Sequence, residues 1–263
     1  MSQSAAADPM VRRILITNDD GVAAPGLKIL ADIASRLAEE VWVVAPEHDR
    51  SGAGQSISLH DPLRVYRHGE RHFAVSGTPA DCVLYALAEW FGETPPDLVL
   101  SGINAGGNIG DSVQYSGTVG AVLSAEHLGI PGIALSQAFT NRDRIDWSPV
   151  TELGEAAIRA LWPTAGEGKC CWNVNFPACG ADQVDSMEFA GQSAGSIARP
   201  RLLPGQDSRG LSYWWLGFDR HTDHEVPDDS DVAVLRRRGV AASPLRGDHR
   251  LPGNRASVPL RKN

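Results

Sequence analysis

The sequence is poor in cysteine, has no long apolar run and carries no excess of positive charge, and each shortage excludes a class of protein. Its four cysteines include no CxxC pair, so neither a zinc site nor a disulfide framework is indicated. No apolar run approaches the roughly 18 residues of a membrane span, which predicts that no membrane is involved. The formal net charge of −8 disfavours long nucleic acids as partners but still permits a small phosphate ligand.

What remains is the composition of an ordinary globular protein. Hydrophobic residues make up 42% of the chain and charged residues 21%, which argues against disorder. We expect one domain spanning residues 1–263, with a core at about 11–180 and an arm and tail at about 181–263. Residues 1–9 are small and polar without the apolar stretch of a secretory signal, so a reducing, cytoplasmic setting is predicted.

The first two thirds of the chain alternate between strand and helix patterns. Residues 13–17 and 41–45 are apolar runs typical of buried strands, and the apolar spacing in 25–37 predicts a helix between them. A strand–helix–strand unit of this size implies parallel pairing. The remaining predicted strands are 63–66, 73–75, 97–100, 133–136 and 171–177. One further predicted helix starts within 76–81 and runs to Trp90, and two others cover 119–128 and 149–161.

Beyond residue 180 this rhythm weakens. Residues 184–226 are predicted to be mostly irregular, with a short helix at 230–238, a strand at 240–245 and a loose polar tail at 246–263. The aromatic stretch 213–217 would suggest a subunit contact if it is exposed, and ordinary packing on the sheet is the alternative.

Polar oxygen-bearing residues follow three of the predicted strands. Asp19 and Asp20 end the first strand, Ser51 lies in the loop after the second, and Asn104 follows the strand at 97–100. Adjacent carboxylates repel unless a cation, a proton or hydrogen-bond donors balance them. Because ligands of an open parallel sheet bind at the carboxyl ends of its strands, these four residues predict a site for a hard divalent metal. A solvated Asp-Asp-Gly turn at 19–21 is the alternative, and Ser51 or Asn104 alone could be a simple turn residue.

Two further loops have phosphate-binding character. Glycines at 102–110 let backbone N–H groups approach an anion, although their spacing is not G-x-G-x-x-G and disfavours a dinucleotide. Ser116 and Thr118 flank Gly117 just before a predicted helix, so their hydroxyls and the helix N-terminus could hold a phosphate. Simple N-capping is the alternative for these hydroxyls. None of the four cysteines is a credible nucleophile.

Taken in order, these motifs resemble the SurE family of metal-dependent 5′/3′-nucleotidases. The resemblance runs through residues 13–136 and continues more weakly toward the C-terminus. It is carried by Asn18-Asp19-Asp20-Gly21 and by the stretches 24–26, 44–46, 50–53, 77–82, 96–104, 115–119, 173–177 and 243–245.

The resemblance implies a fold, an activity and a cofactor. The fold is α/β, a Rossmann-like three-layer arrangement with a mostly parallel sheet and a C-terminal β-rich arm, through which family members form dimers or tetramers. The activity is hydrolysis of nucleoside 5′- and 3′-monophosphates, and of short polyphosphate in some members. The cofactor is one divalent cation per subunit, Mg²⁺ or Mn²⁺.

The resemblance also implies roles for individual residues. The metal ligands are implied to be Asp19, Asp20, Ser51 and Asn104, and the residues implied to be catalytic are Asp19, Asp20 and Asn104. The implied phosphate and substrate contacts are Asn18, Gly106, Gly107, Asn108, Ser116, Gly117 and Thr118. The chain departs from the family pattern mostly beyond residue 180, which leaves the oligomeric state and the substrate range open.

The resulting hypothesis is in-line attack of a metal-bound water on phosphorus. Donors from Asn108, Ser116 and Thr118 would stabilise the charge on the equatorial oxygens, while Asp19 could serve as ligand, base or nucleophile. One rival is a haloacid-dehalogenase-type phosphatase, but Asp19 and Asp20 are adjacent and do not have the alternate-residue spacing of its DxD motif. Two others are a phosphate-binding regulatory protein without turnover and a nicotinamide-dependent enzyme.

Overall fold

The chain folds around one large sheet, and the computed structural model describes residues 8–168, 171–193, 197–221 and 225–246. The strands in these ranges are β1 (Val11–Thr17), β2 (Ala38–Pro46), β3 (Val65–Arg67), β4 (His72–Val75), β5 (Leu98–Ala105), β6 (Gly132–Gln137), β7 (Cys171–Phe176), β8 (Met187–Phe189), β9 (Ile197–Gln206), β10 (Ser212–Arg220) and β11 (Val240–Leu245). The α-helices are α1 (Pro25–Ala34), α2 (Pro79–Ala86), α3 (Gly117–His127), α4 (Ser148–Gly168) and α5 (Asp231–Arg236). None of the helices in these ranges is long and apolar enough to cross a membrane.

Nine of the described strands form a sheet in the order β3-β4-β2-β1-β5-β6-β7-β11-β8. Pairing is parallel from β4 through to β7, whereas β3 and β11 run antiparallel to their inner neighbours. The predicted mostly parallel sheet is therefore confirmed. The chain goes from β1 to β2 on one side and later returns to β5 on the other side. The carboxyl ends of β1 and β5 thus border a topological switch point, where α/β folds bind their ligands.

Strand β1 shows why helices cover both faces of the sheet. Ile14, Leu15 and Ile16 are all fully buried, as expected of a central parallel strand. Successive side chains point to opposite faces. Ile14 and Ile16 pack with Leu30 of α1 and Ile158 of α4, whereas Leu15 packs with residues of α2 and α3. The three-layer arrangement is therefore confirmed.

Several elements end at different residues from those predicted, among them α1 and β5. Helix α1 ends at Ala34, and Leu37 is buried in the following turn instead of in the helix. Strand β5 continues past the predicted end at residue 100 because its pairing with β6 resumes after a register shift between Ser101 and Asn104. Asn104 is therefore the penultimate residue of a bulged strand and does not lie in a loop after it.

The prediction that residues 184–226 are mostly irregular is wrong. They contain β8 and a long antiparallel hairpin of β9 and β10. Most residues of this hairpin are exposed on both faces, so its sequence lacks the alternation that reveals a half-buried strand. The hairpin confirms the β-rich arm that the resemblance implied. Strands β8 and β11, although beyond residue 180, join the main sheet, and the predicted loose tail lies outside the described residues apart from Arg246.

Helix α1 sits very close to β5, and this closeness depends on Gly26. A Cβ atom at this position would overlap the carbonyl oxygen of Ile103, a backbone atom that cannot swing away. We predict that Gly26→Ala destabilises the protein by at least about 2 kcal/mol, because the overlap outweighs the gain of roughly 1 kcal/mol in helix propensity. Urea unfolding measures this. Gly217→Ala is the control, since nothing lies within 4 Å of its Cβ position, and equal stability of the two variants would contradict the prediction.

Candidate active site

A tight turn after β1 presents the two adjacent aspartates. Gly21 has a φ angle of 100°, a backbone conformation that L side chains rarely adopt. The Asn18 Nδ2 atom donates to the Gly21 carbonyl oxygen at 2.9 Å. Asn18 is fully buried, and its side chain stabilises the turn. It is not among the residues that line the cleft described below, although a substrate contact was predicted for it.

The Asp19 carboxylate is buried and only partly compensated. It is 3% exposed, and its Oδ1 atom accepts a hydrogen bond from the Thr118 hydroxyl at 2.6 Å. Burial, with the adjacent Asp20 charge, raises the pKa of Asp19 to about 6, against the lowering effect of the Thr118 hydrogen bond. The charged form of Asp19 is therefore short of stabilising partners, which is the condition that a bound cation would relieve.

Asp20 links the end of β1 to the end of β5. Its Oδ2 atom accepts from the Ala105 backbone N–H at 2.9 Å. Burial raises the pKa of Asp20, the Ala105 hydrogen bond lowers it, and the charges of Asp49 and Arg142 act in opposite directions on it. Among the described residues, the ion pairs that form include neither Asp19 nor Asp20.

The loop that carries Ser51 is tied to the aspartates by its backbone. The Arg50 N–H donates to the Asp19 carbonyl oxygen at 2.8 Å, and the Gly54 N–H donates to the Tyr115 carbonyl oxygen at 3.0 Å. Helix α3 approaches the same loop so closely that a Cβ atom on Gly120 would overlap the Gly54 carbonyl. Ser51 is exposed, yet these contacts hold its loop against the aspartates.

An asparagine network fixes the loop after β5. The Asn108 N–H donates to Asn175 Oδ1 at 2.8 Å, and Asn108 Nδ2 donates to Ser136 Oγ at 2.9 Å. The Asn108 carbonyl oxygen accepts from Asn173 Nδ2 at 2.7 Å and from Asn175 Nδ2 at 3.1 Å. The buried strands β6 and β7 thus position Asn108, and its backbone N–H is not free to bind an anion.

Helix α3 begins directly beside Asp19. Ser116 is its N-cap, since Ser116 Oγ accepts the Val119 N–H at 3.1 Å. Simple capping was the alternative to phosphate binding for this residue, and the two roles are compatible because the capping oxygen retains its own O–H to donate. A Cβ atom on Gly117 would lie 2.9 Å from Asp19 Cβ, so a side chain at this position would push the helix away from the carboxylate.

One open cleft of about 230 Å³ contains most of the predicted site. Among the predicted residues, those that line it are Asp19, Ser51, Asn104, Gly106, Gly107, Asn108 and Ser116. Asp20 lines an adjoining cavity that shares Ala105 and Arg142 with the cleft. Gly117 and Thr118 are buried behind the cleft wall, where the Thr118 hydroxyl serves Asp19 and not the open space.

Sequence reasoning missed several residues of this cleft, and four of them bring new chemistry to it. Two guanidinium groups line it, those of Arg142 after β6 and Arg220 at the end of β10. Two aromatic rings stand at its wall, those of Tyr115 and Phe218, with ring centroids 5.3 Å apart. Arg142, Phe218 and Arg220 reach the cleft through long-range packing of a loop and the hairpin, for which no local motif exists, whereas Tyr115 begins the motif at 115–119. They add positive charge and an apolar surface to a site whose predicted ligands all offer oxygen atoms.

The donor set suits a hard cation. In the described ranges, no three His, Cys, Asp or Glu side chains group together in a way that could hold a metal ion. The predicted set contains only two carboxylates, and Ser51 and Asn104 would complete it with a hydroxyl and an amide oxygen. The raised pKa of both aspartates shows that their negative charge is incompletely balanced by the protein. Oxygen donors around an excess of negative charge fit Mg²⁺ or Mn²⁺.

The fold and cleft define an α/β protein of the doubly wound type with an acidic site at its switch point. The family described as "Survival protein SurE" matches residues 14–199. Similar relatives are the 5′-nucleotidase SurE 1 of Burkholderia lata and the 5′-nucleotidase SurE of Bradyrhizobium sp. strain BTAi1. Each is 44% identical over 90% of this chain, covering 92% and 94% of the relative. The crystal structure of the SurE protein from Aquifex aeolicus matches with a TM-score of 0.76 and 29% identity, over 90% of this chain and 94% of that one. The chain therefore belongs to the SurE family.

The burial of Asp19 has a measurable cost to stability. When the pKa of a carboxyl rises on folding, the protein loses stability as the pH increases. For Asp19 the loss occurs between the pKa of the unfolded state, 3.8, and the pKa of the folded state, about 6. We predict that Asp19→Asn raises the free energy of unfolding of the chelator-treated protein at pH 8 by up to about 3 kcal/mol. Urea unfolding at pH 8 and at pH 4 measures the effect, which should shrink at pH 4. The exposed Asp61→Asn is the charge-matched control, and an Asp19→Asn variant no more stable than it at pH 8 would contradict the prediction.

Proposed function

We propose that this chain is a metal-dependent phosphomonoesterase. Its substrates are nucleoside 5′- and 3′-monophosphates, which it converts to nucleoside and inorganic phosphate, and it also accepts short polyphosphate. It requires one divalent cation per subunit, Mg²⁺ or Mn²⁺. It works as a single domain in the cytoplasm, a setting that the free thiols of Cys82 and Cys179 support.

The observation that carries this proposal is the pair of poorly compensated carboxylates at the switch point. Asp19 opens onto the same cleft as Ser116, a glycine-rich loop and two guanidinium groups. Acidic residues that need a cation and donors that favour an anion are therefore side by side. A phosphate ester bound to a metal satisfies both requirements at once. Membership of the SurE family, whose similar relatives carry the name 5′-nucleotidase, supports the same reaction.

The residues that would hold the cation are Asp19, Asp20, Ser51 and Asn104. When bound, the cation acidifies a water molecule and polarises a phosphoryl oxygen. Thr118 keeps the Asp19 carboxylate in one orientation through its 2.6 Å hydrogen bond. Ala105 does the same for Asp20 through its backbone N–H. The fold thus fixes both carboxylates before any ligand arrives, which reduces the reorganisation that binding would require.

Other residues that line the cleft suit the phosphate group. The Ser116 hydroxyl can donate to a phosphate oxygen while it caps α3. The guanidinium groups of Arg142 and Arg220 supply positive charge and paired N–H donors. In the reaction the oxygen of water bonds to phosphorus as the ester P–O bond breaks, and the nucleoside oxygen leaves with a proton. The Tyr115 and Phe218 rings provide a surface on which a nucleobase can stack.

The chain also has a surface suited to self-association. The hairpin of β9 and β10 exposes a set of large apolar side chains, which are Leu202, Leu203, Leu211, Tyr213, Trp214, Trp215 and Leu216. Exposed apolar residues in such density are typical of an interface. The proposal therefore includes a homodimer or homotetramer formed through this hairpin.

Activity should depend on the cation and on Asp19. We expect phosphate release from a panel of nucleoside monophosphates and short polyphosphate with Mg²⁺, Mn²⁺ or Zn²⁺, and its loss on adding a chelator. Asp19→Asn should lower kcat/KM by at least about a hundredfold, because a charged ligand is lost. Asp61→Asn, which removes the same charge from an exposed position, should stay near wild type. The proposed chemistry would be wrong if Asp19→Asn kept near-normal metal binding and activity. Binding of nucleotide without turnover would point to a regulatory protein instead.

Association should depend on the exposed face of β10. We expect Trp215→Asp to shift the protein to a smaller species in multi-angle light scattering, because a charge there would be desolvated in the interface. Leu59→Asp is the control, since Leu59 is an exposed apolar residue outside the hairpin. An unchanged mass for Trp215→Asp, or an equal shift for both variants, would refute an interface at the hairpin.

A further inference from the structure

Asp231 is a fully buried carboxylate that the chemistry described so far does not use. It is 0% exposed and lies at the first residue of α5. Its Oδ1 atom accepts the Ser193 N–H at 3.0 Å and the Val232 N–H at 2.8 Å, and its Oδ2 atom accepts the Gly110 N–H at 2.8 Å. Three N–H donors balance a charge that burial would otherwise make very costly.

Gly110 connects this carboxylate to the loop that lines the cleft. It closes the glycine-rich loop that begins after Asn104, and its φ angle of 55° lies in the left-handed region. Its carbonyl oxygen is held as well, since Gln192 Nε2 donates to it at 2.9 Å. Both polar backbone groups of Gly110 are therefore bound by side chains from the C-terminal third of the chain.

The contacts continue into the residues that follow Gly110. The Ile197 N–H, at the start of β9, donates to Asp111 Oδ2 at 3.1 Å. The Arg220 Nη1 atom, at the end of β10, donates to Ser112 Oγ at 3.0 Å. The base of the hairpin and the start of α5 thus both form hydrogen bonds with one short segment, 110–112, next to the loop that lines the cleft.

We propose that Asp231 is a positioning residue for the phosphate side of the cleft. By holding the Gly110 N–H it fixes the end of the loop 106–110, whose residues Gly106, Gly107 and Asn108 line the site. Asp231 touches neither substrate nor metal and acts only through the loop. The inference rests on the proposed phosphatase activity, and it assigns a role in that activity to the C-terminal part of the chain.

The hydrogen-bond geometry suggests a selective substitution. An asparagine at 231 has one acceptor oxygen, which can keep the two bonds to Ser193 and Val232. Its amide nitrogen then faces the Gly110 N–H, so that two donors oppose each other. Asp231→Asn therefore breaks the connection to the loop while leaving the start of α5 in place. Gln192→Ala releases the other side of Gly110 without touching Asp231.

The test compares both variants with wild type and with Asp182→Asn, which removes an exposed acid outside the cleft. Three quantities are measured on the full chain: kcat and KM for a nucleoside monophosphate, inhibition by inorganic phosphate, and hydrogen exchange of backbone amides. For Asp231→Asn we expect kcat/KM to fall at least about tenfold and phosphate inhibition to weaken at least about threefold. Exchange should accelerate at 106–110 and stay unchanged in β1. Gln192→Ala should shift the same quantities less, and Asp182→Asn should shift none.

Other outcomes would overturn the inference. A kcat/KM within twofold of wild type in Asp231→Asn would do so, whether or not exchange at 106–110 accelerates. So would faster exchange throughout the sheet together with an unchanged kcat per folded molecule, since Asp231 would then be merely structural. If wild type and Asp182→Asn are themselves inactive, the proposed function fails first, and the inference falls with it even where exchange at 106–110 shows that the loop is held.

Discussion

The burial of the Asp19 carboxylate beside Asp20 is the constraint on which the rest of the site depends. A buried acid beside a partly buried one cannot ionise cheaply, and the Thr118 hydrogen bond offsets only part of this cost for Asp19. The fold tolerates the cost at a topological switch point, where a cation can enter from an open cleft. Stability is given up at the position where a ligand would restore it, as is common at functional sites.

Close backbone contacts hold this arrangement in place. Helix α1 can approach β5 because Gly26 has no side chain, and α3 can approach Asp19 because Gly117 has none. Hydrogen bonds then join parts of the chain that are far apart in sequence, such as Asp20 to Ala105 and Gly110 to Asp231. The cleft is therefore built from several elements that constrain one another, and the C-terminal part of the chain contributes to it. A site assembled in this way is fixed before a ligand arrives, which favours catalysis over adaptable binding.

Much of this could be predicted from the sequence, for a simple reason. Strands of a parallel sheet end at one edge, so the polar residues after buried apolar runs identified Asp19, Ser51 and Asn104, which line one cleft. The same reasoning could not find that Thr118 serves Asp19, because the partners are 99 residues apart and carry no local pattern. It placed residues 184–226 in irregular structure because the hairpin there is exposed on both faces. The roles of Arg142 and Asp231 likewise depend on tertiary contacts alone.

The central claim is that the two aspartates form a site whose charge requires a cation. Calorimetric titration of the chelator-treated protein with Mn²⁺ tests it most directly, without any assay of turnover. The account predicts one bound ion per chain for the wild type and for Asp61→Asn, with binding by Asp19→Asn weakened at least about a hundredfold. Equal binding by Asp19→Asn and the wild type, or no binding by any of the three proteins, would contradict it.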